Sequence, residues 1–221
     1  MTTPARRHYM KVTAAEAAGA SEGDMQGEAY EQHLMMLHRD KAELHTIRSI
    51  KDKIARKAEM LPHYQSYLQG VLEDGKGASD QVLVTLLLWT LDVGDIAAAL
   101  PIAEYAIRYG LAAPDAHQRT NAEILVEEAV TVLMDGDDNI DAESLPLLEE
   151  IARIVEGRDI VDPVRAKLHK AMGRACEAGG HDQEALDHYT KALALHDKCG
   201  CKRLRNELER RMKKNSDQSG S

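Results

Sequence analysis

Along the N-terminal quarter of the chain, Leu34, Leu37, Lys41, Leu44, Ile47, Lys51, Ile54, Ala58 and Leu61 fall at alternating steps of three and four residues. Positions so spaced share one face of a helix, because an α-helix turns once every 3.6 residues. The spacing predicts a long helix over about 29–61, with a heptad seam in which two lysines occupy core positions. Lysines there weaken a coiled coil but can specify register or oligomer state. Leu34, Leu37, Leu44, Ile47 and Ile54 are therefore the candidate oligomerisation residues. The stretch is expected as a long arm or helical hairpin that mediates self-assembly, with a solvated helix packed on the rest of the chain as the alternative. Residues 1–27 are rich in Ala, Gly, Ser and Thr with weak periodicity, and read as a flexible basic arm with room for a short helix.

Downstream, Pro62 opens an element that Gly70 weakens, and a Gly/Lys/Asp loop follows at 73–80. Asp80 can cap the very apolar helix Gln81–Leu91, and Gly94-Asp95 turns into Ile96–Tyr109, which stops at Gly110. Pro101 predicts a kink or restart inside that helix. Thr120-Asn121-Ala122-Glu123 is a capping box before Ile124–Met134. An acidic loop at 135–141 precedes a helix over about Ser144–Glu156, stopped by Gly157. Asp162-Pro163 starts a helix that runs to Ala178 and ends at Gly179-Gly180. Asp182–His196 and Cys201–Lys214 complete the set.

Nothing predicts a strand. The expected fold is all-α, a long N-terminal helical arm followed by a bundle of αα-hairpins. Its expected divisions are an arm at 1–27, the long helix at 28–61, a helical core at 62–198, and a basic C-terminal helix with a disordered tail at 199–221. Two stretches share tetratricopeptide-like spacing: Gly94 with Ala99, Ala103 and Ala106, and Gly180 with Ala185, Tyr189 and Ala192, Gly173 preceding the second. Two such pairs do not make a solenoid, so hairpins packed into one domain are the expected form.

Composition narrows this picture. The chain has 221 residues, no Phe and only 4% aromatics, so its core rests on Leu, Ile, Val, Ala and Met, a palette suited to helix packing. No apolar run is long enough to span a bilayer. The N-terminal MTTPARRHYMKV lacks the apolar stretch of a signal peptide, and three cysteines supply no disulfide framework. A reducing cytoplasm is the expectation.

The net charge of −9 is unevenly spread. Residues 39–57 hold seven Lys/Arg against three Asp/Glu, residues 61–197 ten against 25, and residues 198–221 eight against three. An acidic body thus separates two basic ends. Local clusters decide phosphate binding, because charges are screened beyond about 8 Å at physiological salt. The DNA-binding candidates are Arg6, Arg7 and Lys11, with Arg39, Lys41, Arg48, Lys51, Lys53, Arg56 and Lys57 on the long helix. Lys202, Arg203, Arg205, Arg210, Arg211, Lys213 and Lys214 form a second set, for DNA or a protein partner. No helix-turn-helix stands out, so shape readout or oligomeric wrapping is the expected mode.

Candidate chemistry is sparse. No G-x-x-x-x-G-K-[ST] loop exists to cradle a nucleotide. Asp135, Asp137, Asp138 and Asp141 form the densest carboxylate cluster, but lack the glycine and distal glutamate of a calcium loop and read as a solvated connection. Cys199 and Cys201, with His196 and His188, lack paired zinc spacing and read as flanking a helix break. No catalytic residue, metal or cofactor is assigned.

The stretches TPARRHYMKV, LPHYQSYLQGVLEDGKG, WTLDVGDIAAALPIAEYAIRYGL, PDAHQRT and GRDIVDPVRAKLHKAMGRA, with the basic C-terminal helix, resemble the small terminase subunit family of contractile-tailed, cohesive-end phages and their prophages. The similarity covers roughly residues 3–214. It implies a protein of the host bacterial cytoplasm that binds double-stranded phage DNA at the packaging site. It also implies a homo-oligomer, expected as a ring, that hands DNA to the terminase large subunit. The same family carries the label of endonuclease subunit, so cutting of the cohesive ends by this chain is one alternative. A helical protein-interaction scaffold without DNA contact is another.

Overall fold

The computed structural model describes residues 3–19, 27–113, 119–134 and 139–219; among them the regular elements are eleven α-helices and two 3-10 turns, with no strand. The fold is all-α. The chain divides into two compact units, Met1–Asn121 and Ala122–Ser221.

The N-terminal unit contains α1 (Pro4–Gly19), α2 (Glu28–Thr46), α3 (Ile50–Met60), α4 (Gln65–Asp74), α5 (Gln81–Asp92) and α6 (Ile96–Arg108). Helix α5 is its centre. Nine of its residues between Val82 and Leu91 are buried on all sides, as its unbroken apolar run demands, and it packs against α2, α3 and α6. Asp80 caps it, accepting the Leu83 N–H at 2.9 Å.

The helix expected over 29–61 is two helices. Ile47 takes extended backbone, and Ser49 restarts the helix by accepting the Asp52 N–H at 3.2 Å. A straight helix of that span would be about 50 Å long. The turn at 47–49 instead lets both halves pack on α5. The arm has room for a helix, and where it is described that helix, the 16-residue α1, is laid against α4 rather than free. Gly70, expected only to weaken α4, is where the two meet. A Cβ there would stand 2.3 Å from the Lys11 carbonyl oxygen and 3.1 Å from the Ala14 Cβ.

Helix α6 does not restart at Pro101 but runs through it to Arg108. Pro101 and Ala97 both lie on the exposed face, where water can satisfy the Ala97 carbonyl that loses its i+4 donor.

The C-terminal unit contains α7 (Asn121–Leu133), α8 (Leu145–Ile154), α9 (Asp162–Ala178), α10 (Asp182–Leu195) and α11 (Cys201–Ser219). Helix α11 extends five residues past the expected end at Lys214. The connection at 179–181 turns α10 back along α9, and α11 packs on α10. Tyr189 is fully buried against Gly173, where a Cβ would stand 2.6 Å from the tyrosine ring, and its hydroxyl donates to Glu177 at 2.6 Å. Cys176 and Cys201 are small core residues beside Tyr189 and Leu208. The Asp135, Asp137 and Asp138 cluster lies outside the described residues; Asp141 precedes the 3-10 turn Ala142–Ser144.

Across the α9–α10 contact, the Nδ1 atoms of His169 and His188 are 3.1 Å apart. One ring must donate and the other accept, so both cannot carry two protons. Burial lowers both pKa values, aided by the other ring at His169 and by Lys191 at each; His169 falls to about 4. Arg165 adds to the depression at His169, while Asp187, Glu184 and Glu149 oppose it at His188.

Two outcomes follow. Gly70→Ala should destabilise the chain by about 1–3 kcal/mol in urea unfolding, from overpacking against α1, although alanine is the better helix former. Because the histidines are depressed below their unfolded value near 6.5, the stability they supply is complete above that pH. It is lost as pH falls from 6.5 toward 4. His188→Gln should flatten the dependence of unfolding free energy on pH in this window; an unchanged slope would contradict it.

Candidate nucleic-acid interface

Where α2 turns into α3, the structure gathers much of the first basic set. Arg48 and Lys51 are exposed at the turn, with no described residue paired to either side chain. A hollow of about 280 Å³ is lined by Lys41, Lys53, Lys57, His45, Leu44 and Trp89. Lys41 took a core position in the predicted seam. Its Nζ donates to Thr85 Oγ1 at 3.2 Å, a neutral acceptor, and burial holds it below the usual lysine range. Lys57 pairs with Asp92 of α5. An incompletely neutralised set of ammonium groups around a hollow is an anion site in electrostatic terms, because partial burial weakens screening by water and salt.

Other members of the set are spent. Arg56 is held by Glu43 at 2.6 Å and Glu59 at 2.5 Å, and Lys11 by Glu73 at 2.7 Å. Such exposed pairs contribute only about 0–1 kcal/mol each, but a phosphate would have to displace two carboxylates from Arg56 and none from Lys53. Arg39 lies 2.9 Å from the buried Asp40, which also accepts the Tyr64 hydroxyl at 2.8 Å. Arg39 and Arg7 instead line a separate hollow of about 700 Å³ with Met10, Met35 and Met36. The Arg6 side chain lies outside what is described.

The seam residues divide as well. Leu37 and Leu44 are buried inside the unit, while Leu34, Ile47 and Ile54 are half-buried. Met35 and Ile50, which the heptad reading passed over, are 72% and 76% exposed.

On α11, Lys202, Arg203, Arg210, Lys213 and Lys214 are exposed. Arg203 and Arg205 face Glu207 and Glu209 one turn on. Arg211 reaches Glu177 at 3.0 Å and Asp182 at 2.6 Å, tying α11 to α9 and α10. Arg211→Ala should therefore cost about 1 kcal/mol in urea unfolding, and Arg210→Ala less than about 0.5 kcal/mol; equal effects would contradict this division.

Among the described residues, no three of His, Cys, Asp and Glu come together as metal ligands, and no helix is long and apolar enough to cross a membrane.

The sequence model of the family described as Phage small terminase subunit matches residues 34–163, a span that includes the whole α2–α3 corner. Over 214 residues the chain is 41% identical to the protein named Terminase, endonuclease subunit of Escherichia phage P2, covering 96% of this chain and 87% of that one. No solved structure matches.

Proposed function

The chain belongs to the phage small terminase subunit family, with the role in phage DNA packaging which that entails, and on this premise we propose that it binds packaging-site DNA through the α2–α3 corner. One observation carries the reading. Lys41 is half-buried against a hydroxyl, with Lys53 and Lys57 around the same hollow, and Arg48 and Lys51 are exposed in and just after the α2–α3 turn. DNA phosphates supply the negative charge this corner lacks, and each one neutralised releases counterions.

The proposal extends to assembly and hand-over. Several copies, arranged as a ring, would multiply one modest corner into a high-avidity surface. With Leu37 and Leu44 buried, Met35 and Ile50 are the apolar surface that α2 and α3 leave for a neighbouring copy. The exposed cations of α11 serve either the DNA or the terminase large subunit, which this chain directs to cleave and package the genome at the cohesive-end site.

A second reading comes from the name of the P2 relative, an endonuclease subunit. It requires the isolated chain, given a cohesive-end fragment and Mg²⁺, to break strands in a way that carboxylate substitutions abolish. The proposal predicts intact DNA.

Binding itself is measured by fluorescence anisotropy on cohesive-end and scrambled duplexes across a salt series. Arg48→Gln and Lys53→Gln should each weaken binding about 3- to 10-fold and reduce the salt slope by about 1. Arg56→Gln should change it little. Affinity and slope unchanged in both of the first two variants would overturn the assignment of the corner.

A further inference from the structure

On the N-terminal unit, α1, α2 and the turn before α4 leave a groove of about 700 Å³. Three of the chain's nine methionines, Met10, Met35 and Met36, line it together with Pro62. Met35 is 72% exposed, so a large apolar side chain of this groove faces water. Methionine is unbranched and polarisable, and such side chains adapt to an inserted apolar group. Among the described residues lining the groove none is acidic. Arg7, also in the lining, is exposed and has no described side-chain partner, while Arg39 keeps its pair with the buried Asp40. The groove is therefore apolar, with an uncompensated positive charge at Arg7.

The C-terminal unit carries the opposite feature. Val161 is 55% exposed at the N-cap of α9. The loop before it, with the first residue of α9, holds Glu156, Asp159 and Asp162 against Arg158 alone, all of them exposed. This loop is fixed from behind. The Val161 N–H donates to Glu123 Oε1 at 3.2 Å, and the Arg158 carbonyl accepts from Arg165 Nη2 at 2.8 Å. An aliphatic side chain is thus held out to water among carboxylates, on backbone that has little freedom left to lose on binding.

We propose that the methionine groove of one copy seats Val161 of a second copy, with that copy's Asp159 and Asp162 facing Arg7. Charge selects this occupant. Ile50 is more exposed than Val161, but it belongs to the basic corner and would bring like charge to the groove. Groove and knob are different patches, so the contact passes from copy to copy, the kind of interface that closes rings. The choice of a second copy rests on the assembly reading above; the match of groove and loop does not.

Sedimentation velocity of the full chain over a concentration series tests the contact, using Met35→Asp and Val161→Asn. Both positions are exposed, and asparagine caps a helix better than the valine now at the start of α9, so both variants keep the fold. Each alone should weaken self-association about tenfold or more. Mixed in equal amounts, the two should combine in pairs, since the Val161→Asn chain keeps an intact groove and the Met35→Asp chain an intact Val161. Wild-type assembly that neither variant changes overturns the contact, as does a mixture that fails to combine; the assembly reading then stands with its interface elsewhere. Weakening by Met35→Asp alone also overturns it and gives the groove to another part of the neighbouring copy. A monomeric wild type overturns this contact and the assembly reading together, while DNA binding at the corner is measured independently.

Discussion

Much of the N-terminal unit depends on one carboxyl group. Asp80 is 2% exposed; it accepts the Leu83 N–H at the start of α5 and the Tyr67 hydroxyl of α4 at 2.7 Å. Burial pushes its carboxyl up to about 6, against those two donors, which favour the anion. The contact fixes where the most buried helix of the unit begins and which face of α4 it meets. Helix α5 then presents Thr85 to Lys41, Trp89 to the lysine-lined hollow and Asp92 to Lys57. The candidate interface is thus held by a cap more than two turns away from its last contact. Losing a buried cap and orphaning the Tyr67 hydroxyl would each cost on the order of 1–2 kcal/mol, a large share of a typical domain's stability.

The same economy of contacts explains why basic residues that look alike in sequence have different availability. Lys41 and Lys53 stand beside a hollow without a bound carboxylate, whereas Arg56 and Arg211 each hold two. A cation already satisfied by two acids fixes one helix against another or stiffens a turn, and gains little from a phosphate. A cation kept near neutral acceptors gains more. On the proposed reading, DNA binding and stability thereby draw on different members of one basic set.

How legible this was depends on the range of the signal. The all-α fold followed from periodicity, and the Asp80 cap and the stops at Gly94, Gly110 and Gly157 followed from local capping chemistry, which acts within a turn or two. A helical hairpin was open for this stretch, but the break at 47–49 was not placed because the spacing Leu44, Ile47, Lys51 continues across it, although Ser49 with Asp52 carried the restart signal. Gly70 looked like a weakness because its meaning lies in a backbone 59 residues away, that of Lys11. Pro101 does not restart its helix, because tolerance of a proline depends on which face meets water. Charge counting found the corner but not that Arg56 is already held, since its tie to Glu43 crosses the turn between α2 and α3.

The proposed nucleic-acid contact lies at a helix corner supported by a buried cap, so DNA should protect the chain locally. Amide hydrogen–deuterium exchange of the full-length protein with and without a cohesive-end duplex addresses it most directly. Slower exchange confined mainly to residues 41–57, with α6 unaffected, is the result expected. Protection that leaves 41–57 unchanged, on a chain that demonstrably binds the duplex, would contradict the placement of the interface.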